Sequence, residues 1–265
     1  MINNFNFPVG VEWSLNYTSG PDFFSDDFKF STAEKLFYYY SGSVVKYLDI
    51  SNATSARNMF YNCINLISIP QLDTSNVTDM YNMFYGCRNL LSIPQLDTSK
   101  VKDMYFMFYG CTKLTTIPQL DTSNVTNISG IFQDCTDLTT IPQLDTSNVT
   151  NISYIFQGCQ YLRSIPLLDC SKVTSAYDIL NPSYYGDQVH LTYMGGFKNI
   201  KVNLDIQKAP KLTVQSLMNV INNLYDFRAN GDSTTTRTLT LGTTNLNKLT
   251  DEQKAVATNK GWSLT

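Results

Sequence analysis

Five cysteines, Cys63, Cys87, Cys111, Cys135 and Cys159, stand 24 residues apart. The same step carries Leu66, Leu90, Leu114, Leu138 and Leu162, and Ile69, Ile93, Ile117, Ile141 and Ile165. It also carries Asp49, Asp73, Asp97, Asp121, Asp145 and Asp169. The phrase IPQLDTSNVT is written at 69–78, 117–126 and 141–150, with IPQLDTSKVK at 93–102. A fixed period of this size marks a repeat architecture. One unit cannot bury its apolar face alone, so neighbours stack and equivalent residues form columns.

The unit reads L-D-T-S-N-V-T-x-M/I-x-x-M/I-F-x-x-C-x-x-L-x-x-I-P-Q. Five units cover 48–167, and a sixth begins at Leu168 and decays after Leu180. Within a unit, the Thr or Ser of DTS offers a helix N-cap. Val77, Met80, Met83 and Phe84 then fall on one face at helical spacing, which predicts a helix of two turns. Such a helix is marginal in isolation. LSIP and its equivalents read as a strand stopped by proline, which has no N–H for a ladder. The Asp column is expected to form Asx-turns, each carboxylate accepting N–H groups of the following T-S-N.

The C-x-x-L-x-x-I pattern resembles a leucine-rich repeat. More narrowly, L-D-T-S-N-V-T-x-M-x-x-M-F-x-x-C is similar to the BspA-like bacterial surface-protein repeats, including those first noted in mycoplasma lipoproteins. Similar repeats occur in gut bacteria and their phages. The resemblance implies surface adhesion and partner recognition and carries no catalytic residue set. Ile128/Ile131 and Ile152/Ile155 stand where other copies have methionine, which keeps the packing. The expected fold class is α/β: a leucine-rich-repeat solenoid, short parallel strands on one side and short helices on the other, capped at both ends.

Three segments follow. Residues 1–47 form an N-terminal cap, with a shortened repeat in 31–47 that aligns Leu36-Phe37 with Met59-Phe60 and an aromatic plug containing Trp13, Phe23, Phe24, Phe28 and Phe30. Residues 48–180 hold the 24-residue repeats. Residues 181–265 change to longer βα units of the same solenoid. Strands are expected at Val202–Asp205, Arg237–Gly242 and Trp262–Leu264, and a helix over roughly 214–227 with Leu217, Val220, Ile221 and Leu224 on one face. Thr250-Asp251-Glu252-Gln253 is a capping box opening a second helix. NGDSTTT (230–236) reads as a polar turn or mobile loop.

The candidate chemistry is sparse. Thiols laid in a line cannot converge on a tetrahedral metal. Disulfides between neighbours would leave one of the five unpaired, so the column reads as buried small side chains; Cys170 lies outside it, in the place of Thr146. Stacked aspartates admit calcium as an alternative to the Asx-turn. His190, the sole histidine, has no nucleophile motif beside it. No pair of carboxylates stands out for glycoside hydrolysis. No catalytic residue, metal site or cofactor is therefore assigned.

Residues that differ between copies are free of the stacking rule, and they carry the binding hypothesis. They include Tyr81, Asn82, Tyr85, Tyr105, Phe106, Tyr109 and Tyr154, with Ser129, Gly130, Gln133, Ser153 and Gln157 at equivalent positions. The helical reading turns much of this set outward, where tyrosine offers an apolar body and a polar tip. Packing against the N-terminal plug is the competing reading. Ser92/Pro94, Thr116/Pro118 and Thr140/Pro142 leave the strand face smooth.

Net charge is −3 with no basic run, which argues against nucleic acid and anionic membranes as partners. No stretch reaches the roughly 18 apolar residues of a membrane span, so no membrane insertion is expected. MINNFNFPVG lacks the charged and apolar regions of a signal peptide. The expected role is a non-enzymatic recognition or adhesion module on a bacterial cell surface or phage particle, binding a protein or glycan. The alternative is a structural virion or assembly subunit packed against neighbouring subunits. An enzyme acting on polysaccharide is the third option.

Overall fold

Every buried backbone N–H needs an acceptor, and the destination of these groups decides the architecture of each coil. The computed structural model describes residues 30–45, 48–181 and 190–265. Trp13, Phe23, Phe24 and Phe28 of the expected plug lie outside them; Phe30 is described, partly buried against the core.

Val77, Met80, Met83, Phe84 and Cys87 are fully buried, as their spacing requires. The backbone that carries them is not a helix. The N–H groups of Met83, Tyr85 and Cys87 close tight turns onto the carbonyls of Met80, Asn82 and Phe84, three residues back. The alternate N–H groups leave the coil. Those of Met80, Asn82, Phe84 and Gly86 donate to the carbonyls of Asp103, Tyr105, Met107 and Tyr109 in the next coil, at 3.0, 2.9, 2.8 and 2.6 Å. The expected helices of the 24-residue repeats are thus corrected to runs of turns.

Left-handed residues are the reason. Asn82 and Gly86 have φ of 55° and 70°, and the same pair of positions is left-handed in Phe106/Gly110, Gly130/Asp134 and Tyr154/Gly158. A residue in this region ends a right-handed helix. For Phe106 and Tyr154 it costs about 1–2 kcal/mol. The offset is that half the donors of this segment are released to the neighbouring coil.

The DTS corner divides its roles differently from the expectation. Asp73, Asp97, Asp121, Asp145 and Asp169 form Asx-turns, each Oδ1 accepting the N–H of Ser75, Ser99, Ser123, Ser147 or Ser171 at 3.0 Å. The threonines do not cap a helix. Thr74, Thr98 and Thr122 donate their hydroxyls to the carbonyls of Asp97, Asp121 and Asp145 one coil on, at 2.8, 2.9 and 2.8 Å. Proline withdraws one donor from this corner, and the following glutamine supplies another: Gln71, Gln95 and Gln119 donate Nε2 to the carbonyls of Gln95, Gln119 and Gln143 at 2.6, 2.6 and 2.7 Å.

The strand side is thin. Single backbone bonds link Leu91 to Ile67, Thr139 to Thr115 and Arg163 to Thr139. At the entry to the turns, parallel bridges run Ser55–Asp79–Asp103–Asn127–Asn151–Ser175. Regular strands first appear at β1 (Ser164–Ile165) and β2 (Leu168–Asp169), which pair in parallel with β3 (Tyr193–Met194) and β4 (Phe197–Lys198). Gly195 makes this closure possible, because a Cβ there would lie 2.4 Å from the Leu167 nitrogen.

Beyond lie β5 (Leu204–Asp205), α1 (Val214–Asn223), β6 (Arg237–Thr240), α2 (Gly242–Leu246), α3 (Asp251–Asn259) and β7 (Trp262–Leu264). β5, β6 and β7 form a parallel sheet in that order. Thr213 caps α1, which buries Leu217, Val220 and Ile221, and Thr250 with Gln253 closes a capping box on α3. α1 ends four residues before the expected boundary. There Lys260 donates Nζ to the carbonyls of Ile221 and Asn222. Asp232 holds the N–H groups of Thr234 and Thr235, so 230–236 is a hydrogen-bonded turn. One continuous apolar core links Ala33 to Trp262.

Phe37 donates its N–H to the Met59 carbonyl, and its ring stacks on Phe60 at 5.2 Å. A phenylalanine column follows, Phe60–Phe84–Phe108–Phe132–Phe156, with spacings from 5.4 to 6.2 Å. The cysteines are buried and free, and Cys63 to Cys159 each donate Sγ to the carbonyl of a phenylalanine in the preceding coil. Burial pushes the thiols of Cys87, Cys111, Cys135 and Cys159 well up.

Two outcomes test this packing. A thiol reagent should find no reactive cysteine in the folded protein and six after denaturation. Thr122→Val should lower stability to urea by about 1 kcal/mol, because it leaves the Asp145 carbonyl without its donor. Thr146 is equally buried, but its hydroxyl has no partner. Thr146→Val should therefore be neutral or stabilising in the same assay.

Candidate binding surface

The turn run gives this side of the molecule its side-chain columns. Because each coil repeats the last at strand-like spacing, equivalent aromatic rings meet face to face. Tyr38, Tyr61, Tyr85 and Tyr109 stack with centroids 4.9, 4.6 and 4.4 Å apart and planes within 12°. A second column starts at Arg57, whose guanidinium sits 3.7 Å from the Tyr81 ring centroid. It continues through Tyr81–Tyr105 at 5.0 Å and turns onto Phe106 at 4.1 Å. Cation–π and aromatic pairs of this kind contribute about 0.5–1.5 kcal/mol each beyond their area.

The expected outward display is met only in part. Tyr81, Tyr85, Tyr105, Phe106, Tyr109 and Tyr154 are half-buried. Asn82, Ser129, Gly130 and Ser153 are buried. Asn82 donates Nδ2 to Asn58 Oδ1, and Ser129 donates its hydroxyl to the Ser153 carbonyl, so both serve the coil stack. Ring faces are consumed within the columns, and what reaches solvent is ring edge and hydroxyl. Tyr154 lies apart from the N-terminal columns and meets Tyr177 edge-on at 5.6 Å.

Burial raises the hydroxyls of Tyr61, Tyr105 and Tyr109, helped by neighbouring tyrosines; for Tyr109 the Asp134 carboxylate adds to the effect. Tyr61 is pushed up to about 12. These groups are neutral hydrogen-bonding hydroxyls at neutral pH.

Below the proline corner runs an open groove of about 1130 Å³, lined by the Gln-Leu-Asp-Thr-Ser corners of four coils and ended by Lys198. Its composition repeats along its length. Ser75, Ser99 and Ser147 hold the carboxyls of Asp73, Asp97 and Asp145 below their usual range. Among the described residues no cluster of three or more His, Cys, Asp or Glu is placed to hold a metal ion. His190 stacks on Tyr161 at 4.9 Å.

Several features of this surface escaped the sequence. Asp79, Asp103, Asn127 and Asn151 form a second Asx ladder, accepting the N–H of the residue two positions on as each coil enters its turns. Val44, Ile67 and Leu91 are exposed, so the strand side carries apolar residues on the first coils besides the small ones anticipated. Asn62, Gly86, Gly110 and Asp134 share a left-handed position beside the tyrosine column. Their common signal was present in the sequence as a column that alternates glycine with Asn and Asp.

The family model described as "Mycoplasma protein of unknown function, DUF285" matches residues 29–116 and 82–190, together more than half of the chain. No curated protein matches. Among solved structures, a leucine-rich cell surface protein from Faecalibacterium prausnitzii A2-165 is 26% identical, with a TM-score of 0.44. The match covers 61% of this chain and 41% of that one, so this chain spans less than half the length of that protein. A leucine-rich repeat protein from T. pallidum is 16% identical, with a TM-score of 0.37, over 84% of this chain and 78% of that one. No helix among the described residues is long and apolar enough to cross a membrane.

Tyrosine ionisation should report the column directly. The folded state keeps the Tyr61 proton to about pH 12, whereas an unfolded tyrosine loses it near 10. The stability this contributes is complete below pH 10 and is lost as pH rises from 10 towards 12. Absorbance at 295 nm should show a late-titrating fraction that Tyr61→Phe reduces, with Tyr105 and Tyr109 supplying the remainder. A single step near pH 10 in the folded protein would contradict the packing.

Proposed function

We propose that this chain, which belongs to the DUF285 family, is a non-catalytic recognition module that binds a protein or glycan through the tyrosine-rich face of its N-terminal coils. The observation that carries this reading is the paired aromatic columns. Two stacked rows of rings, half-buried and fixed by 4.4–5.0 Å contacts, form a rigid amphipathic surface at positions the fold leaves free to vary. Rigid aromatics lose little entropy on binding, which suits them to anchoring a partner. The resemblance of the repeat to BspA-like surface proteins supports a bacterial cell surface, or a phage particle, as the setting of such a module.

An assembly role is the second reading. Val44, Ile67 and Leu91 are 46%, 41% and 53% exposed on adjacent coils, a patch suited to a neighbouring subunit. Light scattering separates the two: recognition by a free module requires a monomer in solution, and assembly requires a stable oligomer lost in Ile67→Ser/Leu91→Ser.

The columns also set how recognition must be tested. Tyr81→Ala removes both the Arg57 and the Tyr105 contacts, so it should lower melting as well as binding. Changing Tyr81, Tyr85, Tyr105 and Tyr109 to Phe keeps the stacks and deletes the hydroxyls, among them that of Tyr109 beside Asp134. On glycan arrays and intact-cell binding, the four-fold Phe variant should lose about tenfold or more in affinity. Its melting temperature should stay near that of the parent chain. Equal binding by the two chains would refute the aromatic face as the recognition surface.

A further inference from the structure

The left-handed column beside the tyrosines has a gap in it. Asn62 and Asp134 carry side chains; Gly86 and Gly110, between them, carry none. The result is a notch of about 280 Å³, floored by the two glycines and walled by Tyr61, Tyr85 and Tyr109 on one side and Arg88 and Thr112 on the other. Three coil steps of about 4.8 Å set its two ends roughly 14 Å apart. The Asn62 amide closes one end: its Oδ1 would lie 2.1 Å from a Cβ on Gly86. Gly110 stays open, since a Cβ there would meet nothing closer than the Gly86 Cα at 3.7 Å.

Asp134 closes the other end and is out of place by ordinary rules. It is only 8% exposed, its Oδ1 has no hydrogen-bond partner, and no ion pair of the described residues includes it. A buried carboxylate without a cation is costly. The Tyr109 hydroxyl, kept protonated by burial and by that same charge, hydrogen-bonds this carboxylate, and Oδ1 is still left without a donor. Asp134 lines the notch, so its unsatisfied acceptor stands beside whatever enters there.

We propose that the notch is a binding subsite for a cationic side chain, a lysine ammonium or arginine guanidinium of a protein partner, with Asp134 as its counter-ion. The proposal rests on the recognition reading above, because the notch shares its tyrosine wall with that face. A donor-only head group matches the carboxylate, and the aliphatic stem lies along the glycine floor. A sugar fits less well: the tyrosine faces are taken up by one another at 4.4 and 4.6 Å, leaving no open ring on which a pyranose could stack. A single carboxylate is too few ligands for a metal ion.

The test titrates the full chain with N-acetyl-arginine amide, followed by amide chemical shifts, beside neutral N-acetyl-citrulline amide and a set of methyl glycosides. The arginine probe should bind saturably and at least tenfold more tightly than citrulline, and weaken with salt. Asp134→Asn removes the charge at constant shape. Gly110→Asn fills the notch with a residue that the same column already accepts at Asn62. Both should reduce arginine binding by tenfold or more, and either one suffices should the other fail to fold. Equal binding in the folded variants, equal binding of citrulline, a preference for glycosides, or no saturation by about 10 mM would each overturn the proposal. If the probe fails while the four-fold Phe variant still loses binding to its target, the notch is wrong and the aromatic face stands. If the probe binds and that variant binds its target unchanged, the face is wrong.

Discussion

At every second residue of the turn side, a backbone N–H leaves its own coil and finds a carbonyl in the next. The rest of the structure depends on this exchange. Between consecutive coils it supplies up to four bonds over seven residues, as from Met80, Asn82, Phe84 and Gly86 to Asp103, Tyr105, Met107 and Tyr109. A helix would keep those donors to itself and leave the coils joined only by apolar contact and one thin strand ladder. The glutamine amides and threonine hydroxyls of the corner extend the same exchange with side chains.

The surface follows from that geometry. Coils locked in register must place equivalent side chains directly over one another, so aromatic residues at variable positions become stacked columns and not separate protrusions. The stacking fixes the rings and hides their faces, leaving edges and hydroxyls to meet a partner. The same register turns two glycines into a notch, because the side chains missing at Gly86 and Gly110 are missing at one place in space. Buried Asp134 stands at its end, and it gives the notch its chemical preference.

The apolar columns, the Asx-turns, the free cysteines and both capped C-terminal helices were legible because each rests on a local rule or on the period itself. The turn run was not. Val77, Met80, Met83, Phe84 and Cys87 point inward in either conformation, so burial spacing alone cannot distinguish a helix from turns in which left-handed residues recur every fourth position. The mixture of Asn, Phe, Gly and Tyr at the first of these positions disguised a shared backbone conformation. Misreading the backbone also misplaced Asn82, Ser129 and Ser153, which the turns bury, and overstated the exposure of Tyr81 and Tyr105.

The amino-acid sequence by itself determined the period, the identity of every column and the stacking of units, because a 24-residue unit has no way to bury its apolar residues alone. Tertiary structure decided where the backbone donors go. That choice compares a bond inside one coil with a bond between two, and the second partner exists only once the coils have met. The tyrosine stacks, the open glycine notch and the unsatisfied Asp134 oxygen all follow from it, since each depends on residues of different coils that no single unit contains.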